Sequence, residues 1–144
     1  MMEDLKNKFL NQLQIISNLE MMQHMTTFLY GEDALLLKLF LKEATNPKQM
    51  SKALNITKGR VTAIVNSLVK KDYLVTLPNP LDGRSIDLSL SINGLAYIKG
   101  RLDFMDSYFK DLLTHIGLDT SNMLVDVLDK VLIKIEDYEA KHNG

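Results

Sequence analysis

Residues 46–90 read NPKQMSKALNITKGRVTAIVNSLVKKDYLVTLPNPLDGRSIDLSL, and they decide the fold. Asn46-Pro47-Lys48-Gln49 is a helix start: asparagine offers its side-chain oxygen to the orphan amides of the first turn, proline fits the first helical position, and glutamine can return a capping bond. The helix that follows is short. It is expected to bury Met50, Ala53 and Leu54 and to stop near Asn55, a residue that tolerates the left-handed conformation of a tight turn. Thr57 can cap the next helix, whose Val61, Ile64, Val65 and Leu68 recur at spacings of three and four and so share one face. Two short helices joined by a tight turn make a helix-turn-helix. After Lys71-Asp72 the apolar period drops from about 3.6 to two. Tyr73 to Leu77 reads as a strand, Pro78 to Gly83 as a loop, and Ser85 to Leu90 as a second strand that turns Ile86, Leu88 and Leu90 to the core. This hairpin is a wing.

Outward from this segment the chain is helical. Residues 4–25 carry Leu5, Phe9, Leu13, Ile16 and Leu19 on one amphipathic stripe. A second helix is expected from about Glu32 to Ala44, with Glu32 and Asp33 in its first turn, where the helix dipole favours negative charge. Its Leu35, Leu36, Leu37, Leu39, Phe40 and Leu41 cover most of its faces, so it reads as central and largely buried. Beyond the wing, Ser91 can cap a long helix to about His115. Gly117 interrupts, and Asp119 or Thr120 starts a last helix with Leu124, Val127, Leu128, Val131, Ile135 and Tyr138 on one side. The fold class is mainly α with a small two-stranded β wing.

The 144 residues fit one domain, and 46% hydrophobic with 24% charged residues is the balance of a folded chain. Without cysteine, a disulfide framework, a zinc–cysteine site, a catalytic thiol and a thiol redox sensor are all excluded. Charges scattered through MMEDLKNKFLNQLQ rule out the apolar core of a secretory signal, and Lys38 interrupts the most apolar segment, so a cytoplasmic protein is expected. The net charge is −1, but residues 42–101 hold ten basic and four acidic residues, net +6, whereas the flanks together are net −7. A basic middle on an acidic scaffold suits a DNA-reading module.

The order helix, helix, helix-turn-helix, wing, long helix, long helix resembles the MarR family over nearly the whole chain. MSKALNITKGRVTAIVNSLVKKDYLV is similar to the family's helix-turn-helix, including Val61-Thr62 and Leu68, and Asp82-Gly83-Arg84 resembles its Asp-x-Arg wing signature, continued by Leu88, Leu90 and Gly94. The resemblance implies a homodimer in which the first and last helices interlock. On that view 1–144 is one domain, with 30–100 the DNA-binding lobe and 1–29 plus 101–144 the dimerisation region, where Leu5, Phe9, Leu13, Leu124, Leu128, Val131 and Ile135 meet a second copy. It further implies a transcription regulator, read as a repressor, on a pseudo-palindromic duplex operator. A small apolar or phenolic ligand as modulator is implied too, although no residue pattern identifies one. Two features depart from the family. Ala63 stands where a basic residue is common, and Gly59 weakens the start of the recognition helix by about 1 kcal/mol relative to alanine.

With Val61, Ile64, Val65 and Leu68 inward, helical geometry turns Gly59, Thr62, Ala63, Asn66 and Lys70 outward, toward a major groove. There Asn66 can bond adenine N6 and N7, while Thr62 and Ala63 can meet a thymine methyl. Lys58 and Arg60 suit bases or phosphates, and Lys48, Ser51, Thr57 and Lys70 suit phosphates, which fix register rather than sequence. Arg84, with Asp82 two residues before it, suits a narrow minor groove.

Other signals are weaker. Glu20, His24 and His115 could meet a metal in a dimer, but such helix-surface residues usually face solvent, so neither a metal nor a cofactor is expected. Met21, Met22 and Met25 read as core filling. No nucleophile with a base and an orienting group is legible, which argues against an enzyme. The alternative from another class is a winged-helix protein-interaction module that does not read DNA, since fold alone does not fix function.

Overall fold

The computed structural model describes residues 1–143. In chain order it has α1 (Met2–Ser17), α2 (Glu20–Thr27), α3 (Glu32–Phe40), α4 (Pro47–Leu54), α5 (Lys58–Lys70), β1 (Leu74–Pro78), β2 (Ile86–Leu90), α6 (Ile92–Ile116) and α7 (Leu118–His142). Seven helices and one antiparallel two-stranded sheet are thus present among the described residues. The strands pair Leu74 with Leu90 through Pro78 with Ile86, so the hairpin's loop end lies at Pro78 and Ile86.

The buried apolar residues all fall between Ala34 and Ile98. Ala34, Leu35, Leu36 and Leu39 of α3 meet Met50 of α4 and Val61, Ile64, Val65 and Leu68 of α5, closed by Ala44, Leu74, Leu88 and Ile98. Each fully buried Leu, Ile or Val side chain contributes about 1.5–3 kcal/mol relative to exposure. The spacing in α5 therefore does decide which face turns inward. Packing divides the chain into two units, Met1–Arg101 and Leu102 onward. In the second unit, Gly117 at φ 104° joins α6 to α7, and the buried Ser121 hydroxyl donates to Leu113 O at 2.9 Å.

Three helices of the first unit stop by one device. Lys42, Asn55 and Asp72, none of them glycine, adopt φ of 58°, 53° and 62°. After each, an amide reaches back to a carbonyl five residues earlier: Glu43 N to Lys38 O, Ile56 N to Ser51 O, and Tyr73 N to Leu68 O. These bonds satisfy carbonyls that a helix end would otherwise orphan. At the other end of α4, Asn46 Oδ1 accepts the Gln49 amide at 2.8 Å, and Gln49 Oε1 accepts the amide of Thr45, one residue before the cap. Thr57 Oγ1 accepts the Arg60 amide at 3.1 Å and so caps α5. Ser91 caps α6 through the Gly94 amide at 2.9 Å.

Several expectations need correcting. The continuous helix over 4–25 is broken, because the amides of Asn18 and Leu19 close back on Ile15 O and Ile16 O and Leu19 is extended at φ −75°, ψ 147°. The second helix ends at Phe40 rather than Ala44, since Lys42 takes the left-handed stop; Leu41 is exposed, and Leu37 and Phe40 are half-buried. In α4, residues advance about 100° each, so the face through Met50 and Leu54 leaves Ala53 in solvent. Of the expected inward set on β2, Leu88 is buried and Leu90 half-buried, while Ile86, paired with Pro78 at the loop end of the hairpin, is exposed. The last helix begins at Leu118, directly after Gly117. Among the described residues no helix is long and apolar enough to cross a membrane.

Two substitutions test these local devices. A Cβ at Gly94 would lie 1.9 Å from the Tyr73 carbonyl oxygen, which is backbone and cannot swing aside. Gly94→Ala is expected to lower unfolding free energy by about 3 kcal/mol in urea titration. Thr57→Ala removes the cap of α5 and is expected to cost about 1 kcal/mol in the same titration.

Candidate nucleic-acid interface

The first turn of α5, the first turn of α4 and the wing loop converge on a cleft of about 460 Å³. Asn46, Pro47 and Lys48 line it from α4, Lys58 and Thr62 from α5, and Asp82, Arg84, Ser85 and Ile86 from the wing. Of the twelve residues that the sequence nominates for DNA, five therefore share one concavity: Lys48, Lys58, Thr62, Asp82 and Arg84. Gly59, Arg60, Ala63, Asn66 and Lys70 lie exposed along α5 outside it. Thr57 is exposed just before them, its hydroxyl oxygen engaged by the Arg60 amide. Ser51 is half-buried, and its hydroxyl donates to Ile56 O at 2.6 Å, which fastens the turn between the helices. Thr62 donates to Lys58 O at 3.0 Å, leaving its oxygen able to accept and its methyl free for apolar contact.

The wing tip is built by two side chains. Asn79 Oδ1 accepts the amides of Leu81 at 2.8 Å and Asp82 at 3.3 Å, and Asp82 Oδ1 accepts the Arg84 amide at 3.0 Å. Such Asx turns give a loop a defined course without a core. Asp82 thus sets the backbone of Arg84. Asn79, which the sequence reading passed over as loop, is as important to that course; its place before Pro80 in an Asn-Pro pair was the available signal.

Charge is sorted in the lobe. The four carboxylates between residues 42 and 101 each have an internal partner: Glu43 with Lys38, Asp72 with Asn93, Asp82 with the Arg84 amide, and Asp87 with Asn79. Among the described residues, Lys48, Lys58, Arg60, Lys70 and Arg84 form no ion pair; those present engage Lys6, His24, Lys38, Lys71, Arg101, Lys110 and Lys141. Cations that form no ion pair and lie on one surface are suited to a polyanion.

Behind this surface, the two carboxylates at the start of α3, read from sequence only as suited to the helix dipole, make ties that the sequence reading missed. Glu32 accepts from Ser67 Oγ at 2.5 Å and Lys71 Nζ at 2.6 Å, and the Lys71 ammonium, with the Ser67 hydroxyl, holds the Glu32 carboxyl below its ordinary 4.5. Asp33 accepts from Tyr97 Oη at 2.8 Å and pairs with Arg101 Nε at 3.3 Å. Burial, then the bond to Asp33, pushes the Tyr97 phenol up to about 12, so it stays a neutral donor. Tyr97 also stacks on Tyr73 with ring centroids 4.6 Å apart. No spacing rule announces these ties, which span 35 to 68 residues of chain. No group of three or more His, Asp or Glu that could hold a metal ion occurs among the described residues.

Residues 37–85 match the sequence model of the MarR family. The HTH-type transcriptional regulator PapX of Escherichia coli is 25% identical over 92 residues, 64% of this chain and 56% of PapX, so the match spans little more than half of that relative's length. Among solved structures, the YusO protein of Bacillus subtilis superposes with a TM-score of 0.70 at 19% identity, over 91% of this chain and 94% of that one. A mutant MarR of E. coli complexed with operator DNA superposes with a TM-score of 0.61 at 22% identity, over 85% and 93% of the two chains. In its matched helix-turn-helix and in its fold, the chain is similar to the winged-helix proteins of the MarR family.

Proposed function

We propose that this protein is a cytoplasmic DNA-binding transcription regulator, a repressor, that covers a pseudo-palindromic duplex operator as a homodimer. One observation carries the reading: Lys48, Lys58 and Arg84 border a single cleft, free of ion pairs among the described residues, beside the exposed face of α5. A helix of this kind fits a major groove, where Asn66 reads an adenine edge and Thr62 and Ala63 meet a thymine methyl. Lys58 and Arg60 serve bases or phosphates at the helix start. Lys48, Thr57 and Lys70 hold phosphates, and Arg84 enters the adjoining minor groove. Ser51 contributes through the turn that it fastens. The complex of MarR with operator DNA supports the same use of the same fold.

In this reading residues 30–100 contact DNA, and 1–29 with 101–144 dimerise. Leu5, Phe9 and Leu13 on α1 are exposed, as are Leu124, Leu128, Val131 and Ile135 on α7. Apolar surface of that extent marks an interaction site. A small apolar or phenolic ligand could then modulate binding by changing the separation of the two lobes, and no catalytic step is involved.

Binding across a salt series tests the DNA contact. Wild type is expected to lose affinity steeply with salt, and Arg84→Ala to lower the slope by about one unit per protomer while remaining folded. A protein-interaction module would show neither effect. Charged residues in place of both Leu128 and Val131 are expected to give monomers or unfolded chain by sedimentation; a double variant that stays dimeric with full affinity removes that stripe from the interface.

A further inference from the structure

We propose that Glu32 is a positioning residue for base reading, fixing the roll of α5 by holding Ser67 and Lys71 from the first turn of α3; the inference rests on the DNA-binding reading above. The two carboxylate oxygens divide the work. Oε1 accepts from Ser67 and Oε2 from Lys71, the C-cap residue four positions on, so the tether grips the end of the helix at two points about one turn apart. Ser67 directly follows Asn66, the residue placed at the base edge.

Packing alone leaves this degree of freedom loose. Val61, Ile64, Val65 and Leu68 decide which face of α5 turns inward, but apolar burial is non-directional and tolerates a small roll. Hydrogen bonds do not, because they weaken steeply with misalignment. The lever is long enough to matter, since a roll of about 10° moves a side-chain tip about 6 Å from the helix axis by about 1 Å, enough to spoil a bidentate contact. The anchor behind the tether is firm. Leu35 and Leu36, one turn on from Glu32, are fully buried, and the neighbouring Asp33 is held by Tyr97 and Arg101 of α6. Lys71 is half exposed, so the ion pair adds little to stability. Its contribution is geometric.

The test uses the full chain on three duplexes: the operator recovered by selection from a random pool, that operator with the Asn66-dependent base pair changed, and random sequence. Glu32→Gln is expected to lower the ratio of operator to random affinity by about tenfold, with the wild-type salt slope retained. Ser67→Ala, which leaves the charge unchanged, should shift the ratio in the same direction. In the Glu32→Gln background, Asn66→Ala should cost less discrimination than in wild type, because the contact it removes is already misaligned. A purely structural role would reduce the folded fraction and lower operator and random binding together, leaving the ratio intact. An unchanged ratio in folded Glu32→Gln, or in Ser67→Ala should Glu32→Gln fail to fold, overturns the proposal. Failure of wild type to select any sequence overturns the DNA-binding reading itself, and this inference with it.

Discussion

The contact of one apolar face of α5 with α3 is the constraint on which the rest of the lobe depends. Val61, Ile64, Val65 and Leu68 are buried, as are Leu35, Leu36 and Leu39 of α3, and the two helices are in contact. Burying four such residues decides which face of the helix turns inward, so the opposite face is presented, with its fine roll left to other contacts. That face carries Thr62, Ala63 and Asn66. The core therefore selects which side chains meet a partner, although none of those side chains belongs to it. The same packing fixes where α5 ends and the wing begins, because Tyr73 N must reach Leu68 O across the left-handed Asp72.

Left-handed stops at Lys42, Asn55 and Asp72 show how the short helices are kept short. A non-glycine residue pays about 1–2 kcal/mol for this conformation, and each stop is offset by backbone bonds to carbonyls that would otherwise lack a partner. Asn55 is the residue for which the cost is lowest, because its short polar side chain can bond locally, and it lies between α4 and α5. Lys42 has an additional compensation, since the next residue, Glu43, pairs with Lys38 at 2.6 Å. Sharp ends are what permit two helices and a hairpin to meet around one cleft.

Periodicity and capping rules made most of this architecture legible. Asn46-Pro47, Thr57 and Ser91 carry side chains whose capping role is chemical and local, and each caps as its residue type dictates. The inward face of α5 was legible too, since four apolar residues at helical spacing share one side of the helix. The stop at Lys42 was not, because lysine carries no local preference for that conformation and the Lys38–Glu43 pair supports it only after folding. The break at Asn18 escaped because the apolar stripe continues through it. At the site, the outward residues of α5 and Arg84 followed from pattern, and their convergence with Lys48 in one cleft did not, since it depends on the wing's path. Ser51 shows the limit of reasoning by residue type: a hydroxyl suited to phosphate is engaged by Ile56 O. The ties of Glu32 and Asp33 to α5 and α6 join residues far apart in sequence, and the helix dipole was reason enough for two acids at the start of α3.

The distribution of charge explains how a chain of net charge −1 can present a basic surface, since residues 42–101 are net +6 and the flanks net −7. Long-range attraction depends on charge placement rather than total charge, because fields are screened within about 8 Å at physiological ionic strength. Glu43, Asp72, Asp82 and Asp87 are each engaged within the lobe, by an ammonium, an amide nitrogen or a backbone N–H. Asp82 is the sharpest case, because it lines the same cleft as Lys48, Lys58 and Arg84 and lowers the positive field there. Its acceptance of the Arg84 amide leaves that charge in place and also uses it to set the course of the loop. An acid two residues before the wing arginine is therefore consistent with an anionic partner, since it is needed for the course of the backbone that presents the guanidinium. Substituting it with a neutral residue that cannot accept that amide would make the cleft more positive and the arginine less well placed, so charge and geometry act in opposite directions at this position.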